Sequence, residues 1–267
     1  MRLNLNEKSQ RHLYFSKIYE PEITLKLPLI LNPGDCFIDV GAHHGYYSLA
    51  TSSLVGPTGK VLSLEADPRN YESLKRNLQE NRFDNILALN IGISNQTGTA
   101  TFHRNPLNDG GGSLQRWERY VDRNRSFSKD LIQRKFSVKT EIQVETKDMS
   151  SLLLHLKKDT FLTLAEDTVV KIDVEGYEVE VVEGMLSLLN TNGWRPKALI
   201  IECSNKKEGI IHDRLQPFGY VASYPDRRGR LLRPRENCKY YNKMNVFFIL
   251  PEQINPKLLD PKFLSRH

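Results

Sequence analysis

The chain has 267 residues, 39% hydrophobic and 26% charged, with a formal net charge of +6 and an isoelectric point near 9.1. Length and composition suit one large globular domain with an ample core, and they exclude a fibrous or largely disordered chain. No stretch nears the roughly 18–20 consecutive apolar residues of a membrane span, the opening "MRLNLNEKSQRHLYFSKIYEPE" lacks the apolar centre of a secretory signal, and Cys36, Cys203 and Cys238 are too scattered for a disulfide framework or a zinc set, so a cytoplasmic protein is expected.

Residues 1–30 read as a helical preface, 31–250 as the main domain and 251–267 as a tail. After the turn signal "NPGD", the apolar run "CFIDV" reads as a buried strand. "YYSLATSSLV" follows as a helix that stops near Gly56 and Pro57. "KVLSLEAD" is the second strand, and Asp67 can cap the next helix with Pro68 at its first position. That helix carries Tyr71, Leu74 and Leu78 on one face. "NILALNIGI" is a third strand.

The alternation then lapses. "GTATFHR" reads as an added strand, a polar loop with Gly110 to Gly112 follows, and "FSVKTEIQVETKDM" alternates by twos like a half-exposed strand. "TVVKIDVEG" restores the buried-strand pattern, and its helix places Val179, Val182, Leu186 and Leu189 in an apolar stripe. "KALIIEC" is a fifth core strand, a helix through Ile211 and Leu215 stops at Gly219, and "YVASYP" and "MNVFFIL" finish the sheet. Strands alternating with helices define an α/β fold, a mostly parallel sheet covered on both faces, here with a β-hairpin or loop added after the third strand.

Open α/β sheets bind ligands at the carboxyl ends of their strands, and the first strand–helix turn is the usual cradle. Here that turn is "CFIDVGAHHGYYSLA". Gly41 and Gly45 are spaced G-x-x-x-G, whereas a dinucleotide turn needs G-x-G-x-x-G. The nearby "GPTGK" fails as a P-loop, because Leu54 stands where its first glycine belongs and Val61 follows Lys60. Asp39 adds an acid to the cradle and suits a cationic ligand better than a phosphate. Glu65 ends the second strand, where an acid accepts hydrogen bonds from ribose hydroxyls. The ligand implied is a nucleoside with a cationic, phosphate-free tail, the shape of S-adenosylmethionine. The plainer alternative is that Asp39 caps the turn and Glu65 is a solvated strand end.

Four stretches in order, "FIDVGAHHGYYSL", "VLSLEADPRNYESLKRNL", "VETKDMSSLL" and "VVKIDVEGYEVEVVEGM", resemble the FkbM-type methyltransferases, S-adenosylmethionine-dependent enzymes of the class I Rossmann-like fold. The resemblance runs from the end of the preface to "ALIIEC", and "KIDVEGYE" is its most specific part. It implies a seven-stranded, mostly parallel sheet whose last strand is antiparallel, and methyl transfer to a hydroxyl of a small metabolite or sugar. The donor contacts expected are Asp39, Gly41, Ala42, Gly45, Tyr46, Glu65 and Ala66, with Asn90 and Ile91 placed beside the adenine by position. The family's first loop commonly reads G-A-N-x-G. Here His43 takes the Asn position, with His44 beside it.

Asp173 and Glu175 differ by two, so on an extended strand they project to one side. Asp173, Glu175 and His43 are the candidate catalytic residues, with Glu202 behind them. Acids at a helix N-terminus also complement its dipole, and that is the better account of Glu178. With no third ligand evident beside the two acids, no metal is expected.

Two segments hold much of the basic excess. Asn105 to Phe136 has seven Arg/Lys against four Asp/Glu, and Pro225 to Lys243 has seven against two. The first reads as a lid carrying Trp117, Tyr120 and Phe127, or as an amphipathic helix packed through Leu114, Trp117 and Val121. The second suits an anionic acceptor such as a phosphorylated glycan. The expected partner is a small-molecule or glycan acceptor. Transfer to RNA or to a protein or peptide carboxylate, and nucleoside binding without turnover, are the alternatives.

Overall fold

In the computed structural model the described residues are 1–105, 109–115, 141–158, 167–191, 193–225, 232–234 and 244–259. Three helices lead: α1 (Lys8–Ser16), α2 (Pro21–Thr24) and α3 (Leu27–Ile30). Then come β1 (Cys36–Val40), α4 (Tyr46–Val55), β2 (Lys60–Glu65), α5 (Pro68–Asn81) and β3 (Ile86–Asn90). The inserted part holds β4 (Gly92–Ser94), β5 (Gly98–His103) and β6 (Glu141–Asp148). The chain continues through α6 (Met149–Lys158), β7 (Thr168–Ile172), α7 (Glu178–Thr191), β8 (Ala198–Cys203) and α8 (Asn205–Leu215), and closes with β9 (Val221–Pro225), β10 (Leu232–Pro234) and β11 (Met244–Ile249).

The main sheet runs β10-β9-β11-β8-β7-β1-β2-β3. β3, β2, β1, β7 and β8 are parallel, and β11 lies antiparallel between β8 and β9. These are the seven strands and the antiparallel strand expected of a Rossmann-like fold, and the three residues of β10 lengthen the edge by pairing with β9. From β1 the chain winds outward to β3, then returns to lay β7 on the other side of β1. The crevice of such a sheet lies at this reversal, beyond the carboxyl ends of β1 and β7.

Strand alternation splits the core in two. Ile38, Val40, Leu62, Leu64 and Val170 face one cluster with Val181, Met185 and Leu188 of α7. Phe37, Val61, Val169, Ile200 and Phe247 face the other, and the leading helices supply Ile23, Leu27 and Ile30 to it. Ile254 and Leu258 join that second cluster, so residues 251–259 pack on the sheet. Residues 260–267 lie outside the described residues.

The structure corrects two sequence readings. "NILALNIGI" is not one strand: β3 pairs with β2, while β4 leaves the main sheet and pairs with β6 in a small sheet ordered β4-β6-β5. The face of α7 turned fully inward is Val181, Val182, Met185, Leu188 and Leu189, whereas Val179 and Leu186 are only partly buried.

Trp117, Tyr120, Val121 and Phe127, most of the second basic segment, and Cys238 lie outside the described residues. Cys36 and Cys203 are free and buried, and burial pushes both thiols up to about 12, which fits packing over reactivity. Among the described residues no helix is long and apolar enough to cross a membrane.

Candidate functional site

Glu65 sits at the tip of β2 and is 5% exposed. The backbone N–H of His43 donates to its Oε2 at 2.8 Å, and that of Asp67 to its Oε1 at 2.9 Å. The carboxylate is thus fixed by the two loops that follow β1 and β2. Burial raises its pKa, against the opposing pull of His43 and the two N–H donors. Asp67 caps α5 through the Arg69 N–H and is itself gripped by Arg104, at 2.7 and 2.6 Å. β5 is thereby tied to the same corner.

Asp39 occupies a different place from the one its sequence position suggests. It shares a sheet face with Phe37 and is withdrawn from solvent, at 1% exposure. Ser48 of α4 donates to its Oδ2 at 2.7 Å, and Ser63 donates to Ser48 at 2.8 Å. Its Oδ1 is buried and has no hydrogen-bond partner among the described residues. Burial raises the Asp39 pKa, and Lys171 and Ser48 only partly offset this. Asp39 does not line the crevice.

Lys171, two residues before Asp173 on β7, is the cation of this inner wall. It is 2% exposed, its Nζ lies 2.9 Å from Asp173 Oδ2, and it stands 4.6 Å from the Tyr47 ring centroid. Burial works against its charge, yet Asp173, Glu20 and Asp39 prevail and hold its pKa above the ordinary lysine value. Glu20 arrives from the N-terminal segment. Its Oε2 accepts from the Tyr47 hydroxyl at 2.6 Å and its Oε1 from the Asn245 amide at 3.3 Å. Burial raises the Glu20 pKa, with Lys171 opposing. One lysine therefore faces three carboxylates that are largely withdrawn from water.

Asp173 and Glu175 do meet across the β7 loop, and Glu202 of β8 joins them. Single carboxylate oxygens of the three lie within 4.8 Å of one another. The reason for expecting no metal, the lack of a third ligand, is thus removed, although Asp173 already holds Lys171. Glu175 takes φ 52° and His43 φ 51°, both left-handed and both beside the crevice. Such conformations cost of order 1–3 kcal/mol each for non-glycine residues and gather at functional loops. Lys17 and Arg82, also at positive φ, merely end helices.

The crevice has two chambers. Glu65, Ala66, Asn70, Ile91, Ile93 and Phe102 line the inner one, of about 50 Å³. Ala42, Tyr46, Tyr47, Lys171 and Glu175 line the outer one, of about 130 Å³. Gly41, His43 and Asp173 line both. Gly41, at φ 85°, admits backbone rather than ligand: a Cβ there would meet the Asp173 carbonyl oxygen at 1.9 Å. Gly45, at φ 86°, starts α4 and abuts Leu74. The Tyr46 hydroxyl accepts from the Tyr19 N–H at 3.2 Å. Asn90 is exposed and clamps the end of β2, donating to the carbonyls of Glu65 and Ala66 at 2.8 and 3.1 Å. It does not line the inner chamber, whereas Asn70 of α5 does. Gly110, Gly112 and Leu114, from the described part of the inserted loop, also reach that chamber.

Fold and site together define a Rossmann-like α/β protein with an acidic crevice at its topological switch point. A family model described as "Methyltransferase FkbM domain" matches residues 39–227, and the chain belongs to this family. It is 31% identical over 160 residues to "Methyltransferase sdnD" of Sordaria araneosa, a match spanning 57% of this chain and 61% of that protein. It is also 31% identical over 77 residues to a protein-L-isoaspartate O-methyltransferase of Methanococcus maripaludis, spanning 28% of this chain and 36% of that one. The chain thus spans less than two thirds of the length of these curated relatives. A crystal structure of methyltransferase FkbM from Methylobacillus flagellatus KT aligns with 91% of this chain and 48% of that chain, at 14% identity and a TM-score of 0.45.

Proposed function

We propose that the chain binds S-adenosylmethionine in the crevice and transfers its methyl group to a hydroxyl of a small metabolite or sugar. Glu65 carries this reading. Each of its oxygens accepts one backbone N–H and keeps a further lone pair, which two adjacent ribose hydroxyls can use. Ile91, Ile93 and Phe102 offer an apolar wall to an adenine ring. The surplus of carboxylates over Lys171 suits a cationic tail and opposes a diphosphate. Both chambers are smaller than the roughly 300–1,000 Å³ of ligand pockets, and the contact of Gln10 with His44 at 2.5 Å lies in the lining of the outer one.

When bound, S-adenosylmethionine supplies a methyl group on a sulfonium sulfur, already activated for displacement. The chain's share is alignment, worth roughly 7–11 kcal/mol, and removal of the hydroxyl proton, worth about 3–5 kcal/mol. Glu175 lines the outer chamber beside Asp173 and is assigned as the base, with His43 as a group that orients the acceptor.

Incubation with methyl-labelled donor and fractionated cell extract tests this. Label is expected in a small molecule, and Glu175→Gln is expected to slow transfer about 10²–10⁴-fold while the demethylated donor still binds. No labelled fraction at all contradicts the reading, and label confined to RNA or to peptide carboxylates replaces the acceptor class.

A further inference from the structure

A third space adjoins the crevice. A groove of about 830 Å³ runs between α5, the loop at His44 and the N-terminal segment from Arg2 to Gln10. Arg2, Arg69, Arg76 and Arg104 line it, against the acids Glu7 and Asp67. Two of these arginines are committed, Arg104 to Asp67 at 2.6 Å and Arg2 to Glu80 at 2.7 Å. The guanidinium groups of Arg69 and Arg76 are exposed and take no ion pair or hydrogen bond from the described residues. Seven residues apart on α5, they share one face and stand about 10 Å apart along the axis. Arg69 also sits in the first helical turn, where a cation adds to the positive end of the helix dipole. Both features favour an anion in the groove.

The groove leads to the site already described. It shares Gln10 and His44 with the outer chamber, and Asn70 and Gly112 with the inner one. It is also bounded. The Arg2 N–H donates to Asn77 at 2.7 Å, and the Asn77 amide donates to the His44 carbonyl at 2.9 Å, so the N-terminal segment is tied across to α5 and the cradle loop. A closed edge of this kind suits a compact molecule over a long polyanion.

We infer that this groove seats the anionic part of the methyl acceptor, a small hydroxyl compound bearing phosphate or carboxylate groups held by Arg69 and Arg76. The guanidinium fork takes either group in a two-point contact. The inference rests on the methyl-transfer reading above and adds the acceptor's chemistry to it.

Equilibrium dialysis at low salt, with the demethylated donor present, tests it using fructose 1,6-bisphosphate and glucuronate as probes. At least one probe is expected to bind the full chain, and the double variant Arg69→Gln/Arg76→Gln is expected to weaken it tenfold or more. The variant's affinity for the demethylated donor, expected within threefold of the parent, shows that it is folded. Failure of the parent to bind either probe, or equal binding by the variant, overturns the inference alone. Failure of the demethylated donor to bind the parent sinks the donor reading, and the groove's acceptor role with it. A single-stranded oligonucleotide that binds more tightly than both probes and is lost in the variant puts nucleic acid in the groove and overturns the small acceptor.

Discussion

The wall behind the crevice and the face of α5 beside it are both charged, and they are built in opposite ways. In the wall, Asp39, Lys171, Asp173 and Glu20 are drawn from three separated stretches of chain, and most of their partners are fixed within the protein. Along α5, Arg69 and Arg76 come from one helix, line the groove and are exposed, without partners among the described residues. Buried charge is costly unless satisfied, so the wall is part of the fold as well as of the site. Exposed charge is cheap to keep, so the α5 face is free to serve a ligand. Damage to the wall should therefore read out first as lost stability, and damage to the α5 face as lost binding.

Lys171→Ala should break this contrast most sharply. Among the described residues it removes the cation that faces three carboxylates, and an uncompensated buried ion costs about 3–5 kcal/mol. Urea unfolding would show a large fall in midpoint, and a midpoint close to the parent's would contradict the account of the wall. A smaller effect is expected from Asp39→Asn. Burial raises the Asp39 pKa above its ordinary value, near 4 in an unfolded chain. Between those two values the folded chain keeps a proton that the unfolded chain has lost, so stability falls as pH rises through that window. Glu20 and Glu65, also raised, act with the same sign. Asp39→Asn should flatten the decline by up to about 1.4 kcal/mol per pH unit, measured as unfolding midpoints from about pH 4 upward. An unchanged slope would mean that Asp39 stays ionised.

Much of the fold was legible because strand and helix periods alternate between clear turn signals such as "NPGD" and the Asp67-Pro68 cap. The exchange of sheets at Ile91 was not, since apolar residues resume directly after Asn90 and the pattern from Ile86 to Ile93 carries no turn signal strong enough to end a strand. The α7 stripe is ambiguous in sequence because Val179 and Val181 are equally apolar, and only packing against β4 and α6 shows which turns inward. The position of Glu65 at the tip of β2 was readable from the strand pattern. The direction of Asp39 was not, because Phe37 and Ile38 give its two neighbouring faces the same apolar character. Lys171 did leave a signal, a lysine inside "VVKID" at the parity of Asp173. Glu20 left none, being some 150 residues away and brought in by tertiary packing.

The claim on which the rest depends is that Glu65 receives the ribose of S-adenosylmethionine. Calorimetric titration of its demethylated product into the parent and into Glu65→Gln tests this most directly. The account predicts clear binding by the parent and a ten- to hundredfold loss in the variant, about 1.4–2.7 kcal/mol. No heat from the parent, or tighter binding of NAD, would contradict it.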